Sequence, residues 1–245
     1  MNVRVLNIFT NGRSGSTVML ADIDNKIGVL KTDILHVDKV LDLHNTLPFD
    51  KPEIYWSTDS SIFMEYIPGI SIKQYLKIAN KLDLDKLIEY ISSYIDHCLA
   101  NSVYKDYQQL LSQRSITFSE NNIDLCKFNT VLPSSVIHGD FTFDNLLYYN
   151  NRFYMIDMHA TEFNSISFDI NKLRQDLSGG WFVRGESDPL PWQMSCNYIY
   201  RQLDQQYPKL FNNELYKFML LRVLPYCKLE TDKTFISAEI EKLCK

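Results

Sequence analysis

The sequence predicts an α+β, bilobal chain, with a small antiparallel sheet followed by a larger, mainly helical lobe. Three observations carry that prediction. Apolar, β-branched runs at residues 3–8, 18–22 and 27–32 read as a meander of three strands. Residues 61–67 read as a further strand that stops at Pro68-Gly69. Beyond residue 84 the period changes, and Leu87, Ile88, Ile91, Tyr94, Ile95, Cys98 and Leu99 recur at helical spacing.

The first strand connection, Asn11-Gly12-Arg13-Ser14-Gly15-Ser16, is polar and glycine-bearing, so its backbone N–H groups can approach an anion closely. Asp24-Asn25-Lys26 makes the second. Lys31 lies at the apolar centre of the third strand, where a lysine is costly unless its charge has a partner. An outward-facing lysine on an amphipathic strand is the plainer alternative. Residues 36–47 have helical periodicity and offer Asp38 and Asp42 as acids, with no glutamate. Further on, Asp83 is read as the cap of the helix after residue 84, and residues 103–111 as another helix. Stretches at 169–177, 192–206, 213–227 and 233–243 also read as helices, with Pro189 and Pro191 breaking the chain before the second of these.

Residues 138–157 run HGDFTFDNLLYYNNRFYMID. Residues 146–149 and 153–156 read as a hairpin closed by Asn150-Asn151, since Asn tolerates the positive φ of a tight turn. Asp140, Asp144 and Asn145 then fall in a loop, and Asp157 at a strand end. That spacing suits phosphoryl transfer, with Asp140 to accept the proton of an attacking hydroxyl and Asn145 and Asp157 to hold Mg2+ on the phosphates of ATP. Solvated turns around a core histidine are the bland alternative. For Asp144 a turn cap is favoured.

HGD-x4-N followed by ID resembles the catalytic and metal-binding segments of the aminoglycoside phosphotransferase and choline kinase superfamily, small-molecule kinases with a protein-kinase-like fold. The resemblance implies that His138 braces the catalytic loop. It also implies that Lys31, with the backbone of Gly12, Ser14, Gly15 and Ser16, holds phosphates. Residues 1–67 would form the nucleotide lobe, with a hinge at 65–69, and residues 68–245 the catalytic lobe. At the hinge the Glu65 carbonyl and Ile67 amide would read the adenine edge, and Met64 would line its pocket. The helical acid that usually pairs with the lysine is not evident, and Asp38 is the nearer candidate. Asp169 opens a helix in a segment similar to the family and is read as an N-cap. Residues 172–181 are similar to kinase-like proteins associated with surface polysaccharide synthesis.

Composition narrows the class. Thirty acids against 25 bases give a net charge of −5 over 245 residues, and no basic stripe points to nucleic acid. Five scattered cysteines without a Cys-x-x-Cys pair suggest reduced thiols in a cytoplasmic protein. No apolar stretch suggests a signal peptide or membrane span. For the acceptor, Trp181, Phe182, Trp192, Tyr198 and Tyr200 could stack on a sugar, cage a quaternary ammonium or simply pack the core. Glu162, Asp176, Glu186 and Asp188 could attract a cation or form a solvated rim. The reading that emerges is an ATP- and Mg2+-dependent small-molecule kinase acting on a sugar or polyol hydroxyl. A choline or aminoglycoside kinase, a protein serine kinase and a nucleotide-binding pseudokinase are its rivals.

Overall fold

In the computed structural model, residues 2–9, 16–115, 129–227 and 229–243 are described. Strands β1 (Val3–Phe9), β2 (Thr17–Ile23) and β3 (Lys26–Thr32) form the expected meander. The β2–β3 turn has Asp24 and Asn25 at φ 50° and 67°, the left-handed conformation that suits a two-residue hairpin. Two further strands, β4 (Ile54–Ser57) and β5 (Ile62–Glu65), complete an antiparallel sheet of order β1-β2-β3-β5-β4. Helix α1 (Val37–Thr46) lies between β3 and β4 in the chain. The register places Val18 and Ile62 opposite Lys31, so the lysine sits in the middle of three paired strands.

After the sheet comes a short strand, β6 (Ile70–Ser71), then helices α2 (Ile72–Ile78) and α3 (Lys81–Ala100). Helix α3 begins earlier than the apolar period suggests. Its N-cap is Asn80, which accepts from the N–H groups of Leu82 and Asp83, while the Asp83 side chain accepts from Asn80 N–H. Asp83 is thus the reciprocal member of a capping box rather than the cap. The helix read over 103–111 is also corrected. Residues there divide into β7 (Val103–Asp106), paired with β8 (Val131–Ser134), and α4 (Gln108–Ser115).

Strands β9 (Leu146–Tyr149) and β10 (Arg152–Met155) form the expected hairpin, with Asn150 and Asn151 both left-handed at φ 47° and 60°. β9 also pairs with β6, giving a three-stranded sheet beside the loop that precedes it. Four helices follow, α5 (Ile166–Leu177), α6 (Leu190–Gln206), α7 (Asn213–Val223) and α8 (Glu230–Leu243). The main core joins α3, α5 and α6 to the hairpin through Tyr94, Ile95, Phe141, Leu146, Met155, Ile170, Leu173 and Ile199. Helix α5 is central, because every one of its twelve residues except Lys172 is buried. No described helix is long and apolar enough to cross a membrane.

Candidate active site

The loop between β8 and β9 is shaped by buried polar contacts. Gly139 has φ 82°, and a Cβ there would lie 1.9 Å from the His159 carbonyl oxygen, so only glycine fits. His138 is fully buried. Its Nδ1 accepts from Asp140 N–H at 3.3 Å, and its Nε2 donates to the Ile156 carbonyl at 2.9 Å. This ring therefore ties the start of the loop to the end of β10, the bracing role the resemblance implied. A backbone bond from His159 N–H to the His138 carbonyl, 2.8 Å, closes the same connection.

Two contributors to this scaffold were not legible as such. The Tyr94 hydroxyl, on α3, accepts from His138 N–H at 2.7 Å and donates to Asp169 Oδ2 at 2.6 Å. Asp169 Oδ2 also accepts from Gly139 N–H at 3.1 Å. The N-cap reading of Asp169 is thus overturned. Ser165 caps α5, and Asp169 sits one turn in, aimed at the loop. Burial pushes the Asp169 carboxyl up, against the downward pull of His138 and the two donors. Asp176 plays a parallel part, accepting from Phe143 N–H at 2.8 Å. Burial first, and the Asp144 charge next, raise its carboxyl to about 8.

On this scaffold the polar groups converge. Asn145 Nδ2 donates to Asp140 Oδ2 at 3.0 Å and to the Asp140 carbonyl at 2.8 Å. The other Asp140 oxygen, Oδ1, is ion-paired with Lys172 of α5. Burial acts to raise the Asp140 carboxyl, but the Lys172 charge and hydrogen bond, with help from His138 and Asn145, hold it below the ordinary carboxylate range. Asp157 follows β10 at φ 57° and forms an ion pair with Lys31 across the two sheets. His159 stands close enough to feel both acids, although desolvation, together with the Lys172 and Lys31 charges, outweighs them and its pKa falls. Asp144 lies inside a single turn of 3-10 helix, Phe143–Asn145, with Thr142 at its N-cap position.

Lys31 thus has a charge partner, but not from α1. Asp38 lies in the first turn of α1 and Asp42 further along it, and the ion pair runs to Asp157 instead. At the expected hinge, Met64 packs beside Ile34, Val37 and Ile62, and Glu65 N–H bonds to the Glu53 carbonyl at 2.8 Å. Ile67 is buried, and its N–H meets no backbone acceptor among the described residues. Ser16 stands at the entry to β2, whereas Gly12, Ser14 and Gly15 lie outside the described residues.

The donor set would suit Mg2+, an oxygen-seeking ion that needs few protein ligands when nucleotide phosphates supply the rest. Both side-chain hydrogen bonds of Asn145 use Nδ2, so neither engages its Oδ1, a ligand type that Mg2+ accepts. Asp157 supplies one carboxylate, 45% exposed. Among the described residues no cluster of three or more His, Cys, Asp or Glu forms a metal cage, and Mg2+ bound through nucleotide needs none.

No family model and no curated protein matches the chain. Solved structures do. An apo thermostable mutant of aminoglycoside phosphotransferase APH(4)-Ia superposes with TM-score 0.62 at 13% identity, covering 98% of this chain and 95% of that one. The fold is that of the aminoglycoside phosphotransferases. Aminoglycoside phosphotransferase APH(2")-IIa, in a ternary complex with streptomycin and ATP, matches with TM-score 0.53 at 15% identity, over 99% of this chain and 91% of that one. A glucosamine kinase in complex with glucosamine, ADP and inorganic phosphate matches with TM-score 0.54 at 12% identity, over 99% and 78%. At such identities the likeness concerns the backbone.

Within this phosphotransferase fold the aromatic candidates turn out to be packing groups. Phe182 meets Phe143 edge-on at 5.3 Å, and Tyr200 meets Phe211 at the same distance. Trp192 is buried and donates Nε1–H to the Lys73 carbonyl at 2.8 Å. Tyr198 donates its hydroxyl to Asp85 at 2.7 Å, and Trp181 is buried beneath the Arg184 guanidinium at 3.7 Å. A cavity of about 230 Å³ lies along Asp176, Gly180, Phe182 and Asn197, and none of Lys31, Asp140, Asn145 or Asp157 lines it.

Proposed function

We propose that this protein is an ATP- and Mg2+-dependent phosphotransferase that moves the γ-phosphoryl group to a hydroxyl of a small molecule, a sugar or polyol before any other. The observation that supports this most directly is the meeting of Asp140 with Asn145 on one loop, and of Lys31 with Asp157 at the end of the adjoining hairpin. The nucleotide would lie against residues 1–67, with Lys31 and Ser16 on its phosphates and Met64, Glu65 and Ile67 at its base. The remaining chain, 68–245, would carry the acceptor.

Each residue then has a task. Asp140, held ionised, orients the acceptor hydroxyl and takes its proton as the phosphoryl group leaves. Lys31, freed from Asp157, sets its charge on the phosphates. Asn145 and Asp157 would hold Mg2+, which would supply neutralisation of the phosphate charge. The rest of the rate comes from position, since phosphoryl transfer asks the protein for alignment and electrostatics rather than covalent chemistry. Cys98 and Cys196 are free, buried thiols, which supports a reducing, cytoplasmic setting.

An ADP-release screen with MgATP over sugars, polyols, choline and aminoglycosides tests the reading. Turnover confined to one acceptor class is the expected result. Binding of MgATP without turnover across the panel would replace the kinase with a nucleotide-binding interaction module.

A further inference from the structure

Helix α5 is buried at every residue but Lys172, and that side chain ends on Asp140. Both oxygens of the proposed base are therefore held by protein donors, Lys172 on Oδ1 and Asn145 on Oδ2. A hydroxyl that gives its proton to this carboxylate arrives within a few ångströms of a fixed ammonium. The base carboxylate is also the natural counter-charge for an amine near the reacting hydroxyl, and here it is already matched.

The acids that the sequence offered as a cation-attracting rim are engaged elsewhere. Glu162 is bound by Arg114 Nε at 3.0 Å, and Glu186 by Lys73 at 2.5 Å. Asp188 accepts from Leu190 N–H at 3.3 Å, and Asp176 is buried against Phe143 N–H. A cationic acceptor would meet the Lys172 ammonium, and Asp140, the carboxylate closest to its reacting hydroxyl, is already matched.

We propose that Lys172 is the specificity-determining residue of this site, a fixed cation beside Asp140 that admits neutral or anionic hydroxyl compounds and rejects those with an amine near the reacting hydroxyl. This rests on the kinase reading above and narrows its substrate class. Like charges disfavour the wrong partner here rather than improving the right one.

The test uses matched acceptors that differ in one group, glucosamine, N-acetylglucosamine, glucose and glucuronate. ADP release from MgATP is followed at pH 7, together with acceptor binding to the Mg·ADP protein by calorimetry. The amine-bearing member should lie about tenfold or more below its N-acetyl partner in kcat/KM and in affinity, the size of one pKa unit of interaction. Lys172→Gln should shrink that ratio about tenfold, through the acceptor KM with the ATP KM unchanged, and Lys172→Arg should preserve it. Glucosamine accepted as well as N-acetylglucosamine, or a ratio that Lys172→Gln leaves unmoved, overturns the proposal. If nothing is turned over, the binding arm decides, and equal or absent binding of the pair overturns it too. Turnover that ignores charge defeats only this inference, whereas failure to bind MgATP defeats the kinase reading itself.

Discussion

Replacing Tyr94 by Phe removes one oxygen atom from the interior and keeps the ring that packs on Phe141 at 4.5 Å. Two bonds go with it, His138 N–H to the hydroxyl at 2.7 Å and the hydroxyl to Asp169 at 2.6 Å. His138 and Asp169 are both buried, so water does not readily replace the lost partner. A buried polar group left without its bond costs about 1–3 kcal/mol, and two such losses give roughly 2–6 kcal/mol. Packing is unchanged, so no cavity cost is added. Urea unfolding followed by circular dichroism should show a lower midpoint with an unchanged m-value. Turnover should fall as well, because Gly139 and Asp140 lose the anchor that fixes their backbone, while the ATP KM should hold. A stability loss below about 1 kcal/mol would refute the reasoning, since it would mean that the hydroxyl does not bridge helix and loop.

Two other predictions probe the same scaffold. Gly139→Ala places a Cβ 1.9 Å from the His159 carbonyl at a left-handed φ of 82°, and should cost several kcal/mol or prevent folding, measured by thermal melting; a protein of wild-type stability would contradict the loop geometry. Asp176 holds its proton to about pH 8 when folded and loses it near 4 when unfolded, so the native state binds more protons in that window and stability falls as pH rises through it. Asp176→Asn cannot titrate and should flatten the decline by up to about 1.4 kcal/mol per pH unit, seen in urea midpoints between pH 5 and 8, and parallel curves for variant and wild type would contradict the assignment.

Local chemistry made much of this legible. The Asn150-Asn151 and Asp24-Asn25 turns, the three-strand meander and the strand before Pro68-Gly69 are all written within a few residues, and the structure has them. The loop from His138 to Asn145 and Asp157 beyond its hairpin were legible for the same reason. What escaped depends on distant partners. Strand β7 exists because residues 131–134 return to pair with it, and nothing in Val103–Asp106 announces that. Asp169 sits at a position that suits a helix start, yet its bonds go to Tyr94, 75 positions away, and to Gly139, 30 away. Lys172 belongs to a polar-looking stretch whose other members are buried, so its aim at Asp140 appears only once α5 is packed. The aromatics of residues 181–200 gave the sequence a substrate-like surface, yet Trp181, Phe182 and Trp192 are buried and Tyr198 and Tyr200 pack half-buried against the core.

If Lys31, Asp140, Asn145 and Asp157 surround one nucleotide phosphate and its ion, calorimetric titration of ATP with and without Mg2+ reads it out. Wild type should bind tightly only with Mg2+, and a folded Asp157→Ala protein should lose that dependence. Equal Mg2+-dependent binding in the two proteins would contradict it.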